Sequence, residues 1–376
     1  MAKGAYIGIN NVARKIKKGY IGVDGKARRI KKAYIGIGGV ARPCFSSAGL
    51  EYYGRTSSPL TIACYNLAAT TVGNYALFGG GEGGGYYHST LSAYNTSLTK
   101  SYPTDLNVPR SRMAATTVGN YALFGGGYGY GYEVVDAYDT SLTRSRLTDL
   151  SEGRYSLAAT TVGNYALFAG GYKNNYINTV EVYNTSLTKS VTSENLGSYR
   201  RSLAATTVGN YALFGGGYNA NGTTSAVDFY DSSLTRKNLY YYMTNSRQEL
   251  AATTVGNYAL FGGGCTDTSA YLDIVDAYNT SLTRSSPTGL SAARAYLTAT
   301  TVGNYALFAG GYTGNACMDA VDAYDTSLVR SIQGGLSHAR QCLAATSVGN
   351  YALFGGGCTD TSTHFDVVDV YVYTPE

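Results

Sequence analysis

The chain has no Trp, only three His and six Cys in 376 residues, and no run of ~18 apolar residues. A helix that crosses a bilayer needs about that length, so a membrane-spanning helix is excluded. The start, MAKGAYIGINN, has no apolar h-region, so no ordinary secretory signal is expected and synthesis in a reducing cytoplasm is. Cys44, Cys64, Cys265, Cys317, Cys342 and Cys358 show no C-x-x-C spacing, and in that compartment free thiols are expected. Without secretion, Asn-Thr-Ser at Asn95, Asn184 and Asn279 reads as a turn. No Ser-His-Asp set or carboxylate pair recurs, so no catalytic residue, metal or cofactor is assigned and the chain reads as a non-enzyme.

What is abundant is Gly, at 48, and Tyr, at 38. Both suit many short strands joined by tight turns. The stretch LAATTVGNYALFGGG returns seven times, its tyrosine falling at Tyr75, Tyr121, Tyr165, Tyr211, Tyr258, Tyr305 and Tyr351, 44 to 47 residues apart. A period of that length means a repeat architecture. Each unit offers four strands: A (AATTV), B (YALFGGG), C (VDAYDTS) and D (LTRSxxTxL). Residues 50–376, about 47 per unit, predict an all-β, seven-bladed propeller. A solenoid of the same units is the structural alternative. Leu50–Leu60 resembles the segment that normally follows a unit, and the last unit lacks that segment. The N-terminal strand is therefore expected to complete the last blade, which removes the open edges of the array.

Residues 5–42 hold a second repeat of 14 residues, with Tyr6, Tyr20 and Tyr34 in register and turns expected at Asn10-Asn11, Asp24-Gly25 and Gly38-Gly39. These predict three β-hairpins. Residues 1–42 carry +10 against −5 for the rest of the chain. Arg14, Lys15, Lys17, Lys18, Arg28, Arg29, Lys31 and Lys32 read as a docking or solvated edge. Nucleic acid is the less favoured partner, since no aromatic platform accompanies the charge. Lone hairpins are marginal, so contact with a partner or with further copies is expected to order them. The organisation is then a basic hairpin module at 1–42, a linker at 43–49 and the propeller at 50–376.

The units resemble kelch repeats. The features that carry the likeness are the glycine pair closing strand B (Gly80-Gly81, Gly170-Gly171, Gly356-Gly357), the strand-C tyrosines (Tyr94, Tyr138, Tyr183, Tyr230, Tyr278, Tyr324, Tyr371) and an Arg ahead of strand A. They cover about 87% of the chain. The Trp usual in kelch strand D is absent, and Leu98, Leu142 and Leu187 are expected to fill its space. The N-terminal hairpins separately look like the short repeats that begin tail-associated virion proteins of prophages.

Comparing the seven copies shows where they differ. Ala69 and its counterparts never change, nor does the Thr that follows; the next residue is Thr except at Ser347. These small residues suit crowding at the axis. The A–B turn (Val-Gly-Asn) and the C–D turn scarcely vary, whereas the B–C and D–A connections, on the opposite face, vary throughout. One constant and one diversified face suit a binding protein. Tyr86, Tyr87, Tyr128, Tyr130, Tyr132, Tyr172, Tyr176, Tyr218, Tyr271 and Tyr312 are the candidate contacts, in loops composed like a paratope; the alternative is that Tyr is simply the surface aromatic here. Arg110, Arg154, Arg200, Arg247, Arg294 and Arg340 stand eleven residues before the reference tyrosine, Cys64 replacing them in the first copy. They are expected at the channel mouth, able to bind a carboxylate or phosphate; the alternative is repeated pairing with acids in neighbouring blades. His88, His338 and His364 map to neighbouring blades with Cys358 and Cys64, and coincidence is favoured there over a metal site.

The resemblances imply a phage or prophage virion protein, docked through residues 1–42 to virion or tail proteins and binding a host-surface glycan or protein through the variable face. A homo-oligomer fits the same reading. A bacterial cytosolic interaction scaffold is the alternative, and a sugar-processing enzyme a third class.

Overall fold

The computed structural model describes residues 6–9, 12–15, 19–23, 26–30, 32–37, 40–46, 49–237, 242–359 and 362–375. It divides into two compact units, residues 52–371 and residues 1–51 with 372–376. The larger is a ring of seven four-stranded antiparallel sheets. Blade 1 is Ala68–Val72, Tyr75–Gly79, Leu91–Asn95 and Lys100–Ser101, strands A to D from the axis outward. Strands A of blades 2 to 7 begin at Ala114, Ala158, Ala204, Ala251, Thr298 and Ala344. The seventh blade is Ala344–Val348, Tyr351–Gly355, Val368–Thr374 and, outermost, Gly49–Arg55. The N-terminal strand therefore closes the ring. Tyr52 reinforces the seam by donating its hydroxyl to Asp369 Oδ1 at 2.7 Å.

Strand D is shorter than expected, two or three residues in blades 1 to 6. The chain leaves the sheet early because the next apolar residue is drawn between blades: Leu60, Leu106, Leu150, Leu196, Met243, Leu290 and Leu336 are all buried. The core is a set of blade-to-blade seams. In one, Val72, Leu77, Leu91 and Ala93 of blade 1 meet Ala122, Phe124 and Tyr138 of blade 2. Leu98, Leu142 and Leu187, held at φ 60°, 64° and 62° in the C–D turns, pack against these seams as partly buried residues. Each turn is tied by its Asn or Asp: Asn95 Oδ1 accepts from the amides of Ser97 and Thr99 at 2.9 and 3.0 Å.

The axis-facing threonines do more than save space. Hydroxyls of successive blades bond each other, as in Thr70 with Thr117 (2.9 Å) and Thr160 with Thr207 (2.8 Å). Thr117, Thr161, Thr207, Thr254 and Thr301 each donate to the main-chain carbonyl of the counterpart in the preceding blade. An alanine would fit but could not close this hydroxyl network, which is why Ser347 is the sole substitute.

The glycine pair links blades. Gly126 lies at φ 70°, and a Cβ there would stand 2.7 Å from the carbonyl of Arg154; the next amide, of Gly127, donates to that same carbonyl at 2.8 Å. The bond recurs around the ring and ends with Gly357 donating to Cys64 at 2.9 Å. Only glycine accepts both the left-handed backbone and the close approach.

The smaller unit contains three antiparallel ladders: Tyr6–Ile9 with Val12–Lys15, Gly19–Val23 with Lys26–Ile30, and Lys32–Ile37 with Val40–Ser46. The expected turn residues, with Lys17, Lys18 and Lys31, lie outside the described residues, as do the side chains of Arg14, Lys15, Arg28, Arg29 and Lys32. The linker expected at 43–49 is mostly strand. Pairing continues to Ser46 past a register shift, Tyr34 opposite Pro43 and Ala33 opposite Phe45. Pro43 has no amide to donate, and such residues sit in sheets at irregular positions of this kind.

Candidate functional site

The six arginines are not at the channel mouth, which corrects the expectation that they bind ligand. Arg110, Arg154, Arg200, Arg247, Arg294 and Arg340 are wholly buried. Each pairs with an acid on strand C of the blade it leads into: Asp136 at 2.7 Å, Glu181, Asp228 at 2.5 Å, Asp276 at 2.8 Å, Asp322 at 2.7 Å and Asp369 at 2.8 Å. The acid is part of the same repeat, only 26 to 29 residues downstream. With its carbonyl held by the preceding blade, each arginine fastens two blades together. Where Cys64 replaces the arginine, Ser92 replaces the acid, so blade 1 lost both charges together.

The tyrosines do reach the variable face. Tyr86 and Tyr130 are 73% and 78% exposed. Seven rings stand in contact across four blades, edge to face from Tyr87 to Tyr128 (5.5 Å between centroids), Tyr128 to Tyr132 (5.5 Å) and to Tyr155 (5.1 Å), Tyr155 to Tyr172 (5.8 Å) and Tyr172 to Tyr176 (5.1 Å), and tilted from Tyr176 to Tyr218 (6.2 Å). Tyr271 and Tyr312 form a separate pair at 5.8 Å on blades 5 and 6. The Arg201 guanidinium lies over Tyr172, Tyr176 and Tyr218 at 5.0, 5.9 and 5.8 Å, and the Lys173 ammonium over Tyr132 at 4.8 Å.

Inside this arc the axis opens into a well of about 470 Å³. Its wall is built from the residue two places after each buried arginine or Cys64: Asn66, Arg112, Ser156, Ser202, Glu249, Tyr296 and Cys342. All seven have left-handed φ, between 52° and 56°. Their amides and carbonyls close on one another in a complete ring: Arg112 donates to Asn66, Ser156 to Arg112, and so on until Asn66 donates to Cys342, at 2.8 to 3.2 Å. The backbone of this annulus is thereby satisfied, and its side chains are free to differ. They are diverse, with Ser alone recurring, and sequence reasoning missed them. The available signal was a pair of variable positions between the Arg, Cys64 in the first copy, and a constant Leu or Met.

The well carries charge of both signs. Glu82 accepts from Asn66 Nδ2 at 2.7 Å and lies 3.5 Å from Arg112 Nε. Burial raises the carboxyl pKa of Glu249 above its ordinary value, against the hydrogen bond from Ser202 and the charges of Arg112 and Arg201. Burial, then Glu249, raises the phenol of Tyr296. Such a wall can donate to and accept from a small polar ligand while the tyrosines stack on apolar ring faces.

The histidines do not converge. His364 stacks on Tyr65 at 5.1 Å, His88 Nε2 lies 3.2 Å from the Gly83 carbonyl, and His338 packs on Phe365 at 4.9 Å. Among the described residues no three His, Cys, Asp or Glu side chains are grouped to hold a metal, and no helix is long and apolar enough to cross a membrane.

No known protein family and no curated protein matches this chain. Solved structures do, including one titled "Structure of YjhT", with a TM-score of 0.57 at 13% identity over 74% of this chain and 99% of that one. The likeness shows the fold alone.

Proposed function

We propose that this chain is a kelch-type attachment protein of a phage or prophage virion, binding a host-surface glycan or protein through the face that bears the tyrosine arc and the well. The arc carries the reading: seven tyrosine rings in continuous contact on the face whose loops differ from copy to copy. Tyrosine offers large, stiff, amphipathic area at low entropic cost, and its faces stack on sugar rings while the hydroxyl bonds to them. The opposite face, of near-identical turns, has no comparable diversity. The basic hairpins at 1–42, unlike the acidic propeller, supply the docking end to the particle.

Binding of the purified protein to intact host cells and to a glycan array tests this. Tyr155→Ser with Tyr172→Ser is expected to weaken binding at least tenfold with unchanged far-ultraviolet circular dichroism. Unchanged binding by that variant, with loss on altering the Val-Gly-Asn turns of a still-folded protein, would place the site on the other face. The half-buried Glu249 carboxyl favours a second reading, a sugar-processing enzyme with a proton-transfer group in the well. Turnover of a sugar, lost in Glu249→Gln while binding is kept, would select it.

A further inference from the structure

In every blade the residue just before the annulus residue pairs with the residue that follows the glycine pair. Blade 1 shows how the annulus side chain meets the side chain of the latter. Tyr65 and Glu82 exchange both backbone hydrogen bonds, at 3.0 and 2.9 Å. Asn66, turned by its φ of 53°, swings its side chain onto that of Glu82, Nδ2 2.7 Å from Oε1.

Blade 7 repeats this backbone. Gln341 and Cys358 exchange both bonds, at 2.9 and 3.0 Å, and Cys342 has φ 55°. The residues that meet are now both cysteines, their thiols within hydrogen-bonding reach of each other and neither in a disulfide. Neither is on a loose loop. The Cys342 amide is held by Tyr296 in the ring at 3.0 Å, and the Cys358 amide and carbonyl are held by Gln341. Their surroundings differ: Cys342 is half-buried on the wall of the well, whereas Cys358 is 4% exposed.

We propose that Cys342 and Cys358 are a disulfide-forming pair, with Cys342 the thiol that attacks from the well and a small disulfide of the glutathione class as oxidant. The Cys342 thiolate forms a bond to one sulfur of the oxidant, whose own S–S bond breaks and releases one thiol. The Cys358 thiolate then attacks the Cys342 sulfur and expels the second thiol. The protein gives up two protons and two electrons, and the oxidant becomes two thiols. The adjoining Cys358 thiol, then burial, holds the Cys342 pKa well above the ordinary thiol value, so the reaction quickens as pH rises. The product ties the B–C loop of blade 7 to the annulus, in the blade that the N-terminal strand completes. Cys317 Sγ lies 3.3 Å from the Thr359 carbonyl and 3.8 Å from that of Cys358, and the proposal assigns the crosslink to Cys342 instead.

The test is incubation of the full chain with oxidised glutathione at neutral and alkaline pH, followed by intact mass and peptide mapping by mass spectrometry. The expected result is loss of two hydrogens per chain, a peptide joining Cys342 to Cys358, faster formation at the higher pH and a raised melting temperature reversed by dithiothreitol. Cys317→Ser retains the crosslink, and Cys358→Ser instead accumulates a glutathione adduct at Cys342. A wild-type chain that holds a stable adduct without an internal bond, that joins Cys358 to Cys317, or that stays reduced at both pH values overturns the proposal. The wild-type map decides the question even where a serine variant fails to fold.

Discussion

Blade 1 has a natural substitute for the buried ion pair, and moving it into blade 5 measures what the pair contributes. Arg247 and Asp276 are wholly enclosed, 2.8 Å apart. Asp276 also accepts from Thr244 Oγ1 at 2.6 Å and from Arg284 at 2.9 Å, whereas Arg247 has otherwise the Phe261 carbonyl at 3.1 Å. Its Nε and Nη1 find no partner among the described residues. Breaking a buried pair from one side costs roughly 3–5 kcal/mol. Asp276→Ser, which strands a guanidinium with little else to bond, belongs at about 5 kcal/mol on that scale. Arg247→Cys leaves a carboxylate that keeps two partners and belongs at about 3 kcal/mol. Independent effects would sum to about 8 kcal/mol, but the double variant strands no charge and forfeits only packing, roughly 2–4 kcal/mol. Thr244 is already in place to bond the new serine, as Thr61 bonds Ser92 in blade 1 at 3.1 Å through its amide and 3.0 Å through its hydroxyl. Urea unfolding of the wild type, both single variants and the double variant, followed by circular dichroism and tyrosine fluorescence, gives the coupling directly. Strict additivity would falsify the account of these arginines as blade fasteners.

The glycine pair predicts that Gly126→Ala, forced into φ 70° with its methyl against the Arg154 carbonyl, lowers stability by about 1 kcal/mol or more, read as an earlier urea midpoint. Ring closure predicts that a chain lacking residues 1–48 stays monomeric, whereas one lacking 1–61 loses the outer strand of blade 7 and aggregates; light scattering compares them, and equal behaviour would count against closure. Glu249 predicts a pH dependence of known sign. Its folded-state pKa is raised above 4.5 by burial, so its charged form is disfavoured in the fold, and stability falls as pH climbs from about 4.5 through the raised value. Glu249→Gln should remove that decline, and an unchanged melting-temperature profile would show that the carboxyl is freely hydrated.

The repeat, the blade number and the closing strand were legible in the sequence because each rests on local pattern. Alternation in AATTV and the short apolar run YALFG set two strands, Val-Gly-Asn the turn between them, and the displaced Leu50–Leu60 the seam. The docking and virion readings of residues 1–42 belong to the proposal, since the described structure there is backbone. The direction of the arginines was not legible. A residue in a D–A connection passes between two blades, and its sequence position is the same whether it turns to solvent or to a carboxylate 26 to 29 residues later. Only the packed pair, with Gly127 and its counterparts gripping the arginine carbonyl, made burial the outcome. The annulus was hidden for a related reason. Asn66, Arg112, Ser156, Ser202, Glu249, Tyr296 and Cys342 share no chemistry, only a left-handed backbone held by hydrogen bonds from blade to blade. Those bonds exist only once seven blades stand around one axis. Tyr155 joined the arc in the same way, brought beside Tyr128 and Tyr172 by adjacency of blades. Local hydrogen bonding and side-chain alternation write the strands; the angle at which one blade meets the next decides which side chains share a surface.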